Sequence, residues 1–376
     1  MTVSGVGRLA AASAVAFLMV GMAAAESAAD RSLLLESRAG VHRALTRLVE
    51  LQRPDGSWQG DPAITALAAT AMMGSGQEGF GVGGEPVTRA LAYVRGFARP
   101  DGGIYGKFYP NYTTSICAMA LIEAGLEQDR ELIRKARSFL LDLQADEGDG
   151  ITPTDPQYGG WGYEKAAGGE AMHAADLSNT QLALEALRAM EQAAEEDKPE
   201  SAAGAAHTRT ELAYDKALAY LNRCQSDDGG FIYGPGESKA GQDEEGTLRS
   251  YGGMTYAGLK SMIYARVGRD DARVSAAYDW ARKHWTVTEN PGLGPQGLFY
   301  YYQTMAKALR VYGRDKVVDA RGAAHDWRQE LVGQLLKVQR ADGTWANDNG
   351  RWMEQIPELV TAYSVLAIEQ ATADWR

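Results

Sequence analysis

The chain has 376 residues, 23% of them charged, and a formal net charge of −11 at pH 7. No basic stripe is available to neutralise phosphates, which argues against nucleic acid as a partner and leaves the acidity as a solvated surface. Two cysteines, Cys117 and Cys224, are too few for a disulfide framework or a paired Cys-x-x-Cys zinc cage, and both sit in helical patterns where they are expected to stay unpaired.

At the N-terminus Arg8 precedes the apolar run "LAAASAVAFLMVGM", followed by alanines at 23–25 and then Glu26. That is the layout of a signal peptide cleaved after Ala25. The run is too short to argue for a permanent membrane span, and no second long apolar run follows. Residues 1–25 are therefore predicted to be a leader, and residues 26–376 an exported (periplasmic or secreted) single domain.

From there the chain alternates two kinds of helical pattern. The first is amphipathic: Val41, Ala44, Leu45, Leu48 and Leu51 fall at helical spacing, with His42, Arg43, Arg47 and Glu50 on the other side. A turn "LQRPDGSW" (51–58) leads to "ITALAATAMM" (64–73), apolar almost all round. The same grammar returns in "ALAYVRGFARPDGGIY" (90–105), in 136–161 with its "YGGW", in "ALAYLNRCQSDDGGF" (217–231), in a degenerate form at 276–302, and in "LVGQLLKVQRADGTW" (331–345). Each is followed by another apolar helical segment: 113–125, 180–190, 254–265, 303–313 and 360–370. A helix that is apolar on every side is buried on most of its surface. Six amphipathic helices alternating with six buried ones predict an all-α, (α/α)6 toroid, with six parallel inner helices ringed by six outer ones. Segments 191–207 and 234–246 read as surface insertions.

The turns carry their own logic. Gly56, Gly102, Gly229 and Gly343 permit the positive φ that a reversal needs, and the preceding Asp closes the turn through its side chain. The Gln is expected to satisfy backbone groups orphaned at the end of its own helix, and the Trp or Phe to cover the neighbouring repeat. Asp61-Pro62 reads as an N-cap with an N1 proline, Asp176, Ser178 and Asn179 as caps, and Pro357 as an N1 residue.

The Gln-to-Trp runs at 52–58 and 339–345, the Gln-to-Phe run at 225–231 and the Gln144…Trp161 version resemble the "QW" repeat of triterpene cyclases and the related repeat of protein prenyltransferase β subunits. The resemblance spans nearly the whole chain after the leader and implies the toroid, with a central cavity for an isoprenoid. It also marks two departures. The Asp-x-Asp-Asp-Thr motif of class II cyclases has its nearest counterpart at Asp176-Leu177-Ser178-Asn179-Thr180, with Ser178 at the acid position. The prenyltransferase zinc ligands find no Cys at 176–178 and Gln303 in place of the His. No metal or cofactor is expected.

Parallel inner helices would bring six positive N-terminal dipole ends to one mouth, favouring an anion there. Near those starts stand Trp161, Tyr163, Tyr251, Tyr256, Tyr300, Tyr301, Tyr302 and Gln303, the candidates for ligand binding. His173 and Asp176 are the candidate acid–base pair, set against a bland reading in which Asp176 caps a helix. The function expected is binding of an isoprenoid or other apolar ligand in a central cavity. The alternatives are a non-catalytic protein-interaction scaffold, or a polysaccharide-active toroid pairing Asp176 with Glu354 or Glu358.

Overall fold

The computed structural model describes residues 31–165, 174–196 and 209–375. The leader-like segment 1–25 lies outside them. Helices α1 (31–51), α3 (Glu85–Arg95), α5 (Arg130–Asp142), α7 (Arg209–Cys224), α9 (Ala272–Lys283) and α11 (Trp327–Lys337) alternate with α2 (Pro62–Gly74), α4 (Pro110–Ala124), α6 (Leu177–Glu196), α8 (Gly252–Tyr264), α10 (Leu298–Tyr312) and α12 (Pro357–Thr372). Each even-numbered helix packs on the even-numbered helices before and after it, and α12 packs back on α2, so the inner ring closes. The odd-numbered helices form the outer layer.

The sequence pattern sets which layer a helix joins. Of the sixteen residues of α12, thirteen are buried, whereas α5 buries only Ala136, Phe139, Leu140 and Leu141. A helix with one apolar stripe can be stable only with its other side in water. Among the described residues no helix is long and apolar enough to cross a membrane. Cys117 and Cys224 are buried and unpaired. A short hairpin of β1 (Lys316–Val318) and β2 (Ala324–Asp326), between α10 and α11, was not anticipated from the pattern. Its strands are three residues long, too short for alternation to show, and Asp319 closes its turn by accepting from the N–H groups of Arg321 and Ala323 at 2.8 Å.

The repeated turn ties the two layers together, and its Gln reaches further than the end of its own helix, where it was expected to act. The Gln reaches the next repeat. Gln52 Nε2 donates to Gly56 O and to Pro86 O of α3, both at 2.9 Å. Gln144 does the same to Gly159 O and Ala213 O of α7, and Gln225 to Gly229 O and Arg273 O of α9. Gln339 donates to Gly343 O and to Gly40 O of α1, which stitches the last repeat to the first. The Trp serves its own repeat: the indole N–H of Trp58, Trp161 and Trp345 donates at 2.7 Å to Leu48 O, Leu140 O and Leu335 O of the outer helix just left. Their backbone N–H groups donate to Thr65, Thr180 and Thr361 of the inner helix just entered. The primary amide carries two N–H bonds and can bridge two carbonyls, while the indole has only one to give.

Candidate functional site

Tyr112 on α4, Ser178 on α6, Tyr300 on α10 and Tyr363 on α12 all stand near the starts of their helices, and they meet across the ring axis. The Tyr112 and Tyr363 hydroxyls are 3.3 Å apart, Tyr300 Oη is 3.3 Å from Ser178 Oγ, and Gln181 Nε2 donates to Tyr300 Oη at 3.1 Å. The inner helices therefore share one N-terminal end, and this tyrosine layer forms a floor across it. Burial pushes the Tyr112 phenol up to about 12 and raises Tyr300 and Tyr363 as well. All three stay protonated at neutral pH.

The electropositive mouth expected at this end is neutralised by the chain's own carboxylates. Asp61 caps α2, accepting from the N–H groups of Ala63 and Ile64 at 2.8 and 2.9 Å. Asp176 takes the N–H and side-chain amide of Asn179, both at 2.8 Å, at the start of α6. Glu354 caps α10 from another loop, taking the N–H groups of Phe299 and Tyr300 at 2.9 and 2.8 Å. Each places a negative charge where a helix dipole is positive, the position a bound anion would otherwise occupy.

Beyond the tyrosine floor, toward the C-terminal ends of the inner helices, lies a chamber of about 370 Å³ to which α2, α4, α6 and α12 each bring several side chains, α8 brings Tyr264 and α10 brings Lys307. It reaches the end of the ring where Glu123 and Gln192 are exposed. Its two sides differ. The arc of α12, α2 and α4 is largely apolar, with Leu366, Leu67, Ile116, Met119 and Ile122. The arc of α6, α8 and α10 is charged, with Glu185, Arg188 and Lys307 beside Tyr264.

Glu185 sits between two lysines. Lys260 Nζ is 2.5 Å from one carboxylate oxygen and Lys307 Nζ 2.5 Å from the other. Lys260 is 2% exposed and Lys307 16%. Burial pushes the Glu185 carboxyl up, but the two ammonium groups outweigh it and hold the carboxyl down at about 2. Burial lowers Lys260 to about 8, with Glu185 opposing and the like charge of Lys307 assisting. Arg188 is matched separately by Glu191 at 2.6 Å. The triad thus carries two positive charges against one negative.

The sequence candidates are distributed differently from expectation. Tyr300 belongs to the tyrosine layer across the axis. Tyr256, Tyr301, Tyr302 and Trp161 are at most 1% exposed and wedge between the two helix layers instead. Tyr301 and Tyr302 donate their hydroxyls to Thr286 O and Val287 O, both at 2.7 Å, on the outer side. Successive helical residues are turned by about 100°, so of three consecutive tyrosines only Tyr300 faces the axis. Tyr251 is buried at the cap of α8, Tyr163 is half-buried with its ring centre 4.9 Å from that of Tyr109, and Gln303 is buried outside the chamber wall. His173 lies outside the described residues. Asp176 is buried, raised by that burial to about 6, and tied down as the cap of α6, with the Tyr233 hydroxyl also bonded to it. The residues missed in the sequence are Glu185, Lys260 and Lys307. Their signal was a charge near the middle of each of three largely apolar helical segments.

No family model matches this sequence, and no curated protein matches it. Solved structures do. The type II terpene cyclase MstE from Scytonema, in its apo form, aligns with a TM-score of 0.55 at 15% identity, over 91% of this chain and 99% of MstE. A substituted MstE holding geranylgeranyl dihydroxybenzoate as substrate aligns with a TM-score of 0.57 at 16% identity, over 91% and 99% of the two chains. Another, holding merosterolic acid A as product, gives 0.56 at 16% identity over 92% and 99%. The protein has a terpene cyclase-like all-α toroid fold. At this identity the likeness extends to the fold alone.

Proposed function

We propose that this protein binds an isoprenoid or similarly apolar small molecule in the central chamber, outside the cytoplasm, and does not carry it through a proton-initiated cyclisation. The observation that supports binding most directly is the chamber itself, ringed by side chains of all six inner helices and walled on one arc by Leu67, Ile116 and Leu366. Its volume falls in the range of small-ligand sites, roughly 300–1,000 Å³. MstE, with the same fold, holds geranylgeranyl dihydroxybenzoate and merosterolic acid A. The leader-like residues 1–25 are the basis for placing the binding outside the cytoplasm.

Ser178 is the basis for excluding proton-initiated cyclisation. Its hydroxyl stands beside Tyr300 Oη at 3.3 Å, and neither an alcohol nor a phenol held above its usual range can protonate an unactivated alkene. The polysaccharide reading loses its carboxylate pair. Asp176 and Glu354 cap helices, and Glu358 accepts from Gln59 Nε2 at 2.7 Å.

The experiment is native mass spectrometry of the full chain purified from its own envelope, followed by titration with geranylgeraniol. One bound molecule per chain is expected. Leu366→Trp, which places an indole in the chamber, is expected to abolish it. A wild-type protein that neither carries a lipid nor binds the alcohol would overturn the proposal.

A further inference from the structure

The chamber is polarised around its circumference. One arc, from α12 through α2 to α4, offers mostly hydrocarbon, with Thr70, Glu123 and Gln370 also on it; the opposite arc, from α6 through α8 to α10, offers the Glu185–Lys260–Lys307 triad. A purely apolar ligand would use only the first arc and leave the second against hydrocarbon. Burying an ammonium without a full counter-charge costs several kcal/mol, so two lysines sharing one carboxylate inside a ring is an arrangement with an unfilled electrostatic requirement.

Three features say which group would fill it. Both Glu185 oxygens are engaged, one by each lysine, so Glu185 has no further oxygen to offer either of them. Lys260 is turned inward with its ammonium 5.8 Å from the centre of the Tyr264 ring, whereas Lys307 lines the chamber. Arg188, the other cation on that arc, is already paired with Glu191, which in turn bonds Arg266. Arg266 has Glu211 as a second partner, so that cluster balances two arginines with two carboxylates, whereas Lys307 faces the chamber from a cluster of two lysines with one. Lys307 has N–H donors beyond the one given to Glu185. The C-terminal dipole ends of the inner helices lie nearby and are negative, but that effect fades within the last turn, and Lys307 stands five residues before the end of α10.

We infer that the ligand of this chamber is an amphipathic anion, a carboxylic acid with an apolar tail, whose carboxylate pairs with Lys307 on the charged arc while its tail lies along Leu67, Ile116 and Leu366. The inference deepens the proposed binding of an apolar molecule and rests on it. On α10, Lys307 lies seven residues beyond Tyr300 of the floor, about 10 Å along the axis. A head group at Lys307 thus leaves the floor side of the chamber to hydrocarbon.

The experiment compares farnesoic acid with farnesol, which share one tail, by calorimetric titration of the full chain at neutral pH. The acid is expected to bind at least tenfold more tightly. Lys307→Met is expected to erase that difference, and Lys307→Arg, which keeps the charge, to preserve it. Equal affinity of wild-type protein for acid and alcohol would overturn the inference and leave apolar binding standing. Failure to bind either would overturn both. The wild-type comparison decides the matter even if a variant does not fold, and a purely structural triad predicts no preference for the acid at all.

Discussion

Gly159 leaves no room for a side chain: a Cβ there would lie 1.9 Å from Lys216 O, at a φ of +86°. Gly236 has a similar φ, +88°, with nothing within 4 Å of an added Cβ. Gly159→Ala is expected to cost 3 kcal/mol or more, because backbone must move, and Gly236→Ala only about 1 kcal/mol of backbone strain; urea melts of the two would separate clash from conformation. Asp176 gives a second test at this scale. Its carboxyl, set among Asn179, Tyr233, Tyr163 and Lys239, is raised by burial from 3.8 to about 6 in the folded chain. A folded value above the unfolded one means that its contribution is fully present below about pH 4 and is lost as pH rises through 6. Asp176→Asn keeps a carbonyl oxygen for the Asn179 N–H and has no charge to bury. It is expected to remove a fall of about 2 kcal/mol between pH 4 and 6, read by chemical denaturation across that range. The cap role of Asp176 was legible in the sequence, since Asp before an apolar helical run is a common start. Its burial was not, because the covering Tyr233 comes from a distant loop.

Three inner helices each carry one charge that the helical pattern alone would put in an apolar core, and these charges meet at one point in the ring. Glu185 is the shared partner, so its loss strands two ammonium groups, while loss of Lys260 still leaves Glu185 with Lys307. Glu185→Ala is expected to destabilise by about 3–5 kcal/mol. Lys260→Met, which removes a desolvated charge and fills its space, should cost about 1 kcal/mol or less. Thermal melts of the two variants in one buffer test the order, and the reverse order would contradict the shared-partner geometry. The charges are visible in the sequence as exceptions to helices apolar on every side. Their convergence was not visible, because it depends on the rotation of three helices separated by 75 and 122 residues.

The ring has no free end. Gln339 bridges Gly343 O and Gly40 O, joining α11 to α1 across 299 residues, and α12 packs on α2. An open solenoid unfolds by parts from its termini, whereas a closed ring must break a seam before any repeat is released. Indole fluorescence from Trp58, Trp161 and Trp345, which sit in three repeats, and helical circular dichroism are therefore expected to report one coincident transition. Gln339→Ala removes two bridging hydrogen bonds at the seam. It is expected to lower stability by about 2 kcal/mol and to separate the two probes if the seam governs cooperativity.

The sequence by itself determined the helical class, the number of repeats, which helices face water and where the turns fall. These depend on local periodicity and on glycine, proline and Asp placed within a few residues of one another, and local signals survive in a linear reading. Only the tertiary structure decided that Glu354 caps α10 from another loop and that the helix starts are floored with tyrosine. It alone decided that Tyr301 and Tyr302 pack outward while Tyr300 faces the axis, and that the chamber opens at the opposite end with a charged arc facing an apolar one. Those features depend on helix rotation and on contacts between different segments of the chain, and no spacing within one helix encodes which neighbour it will meet.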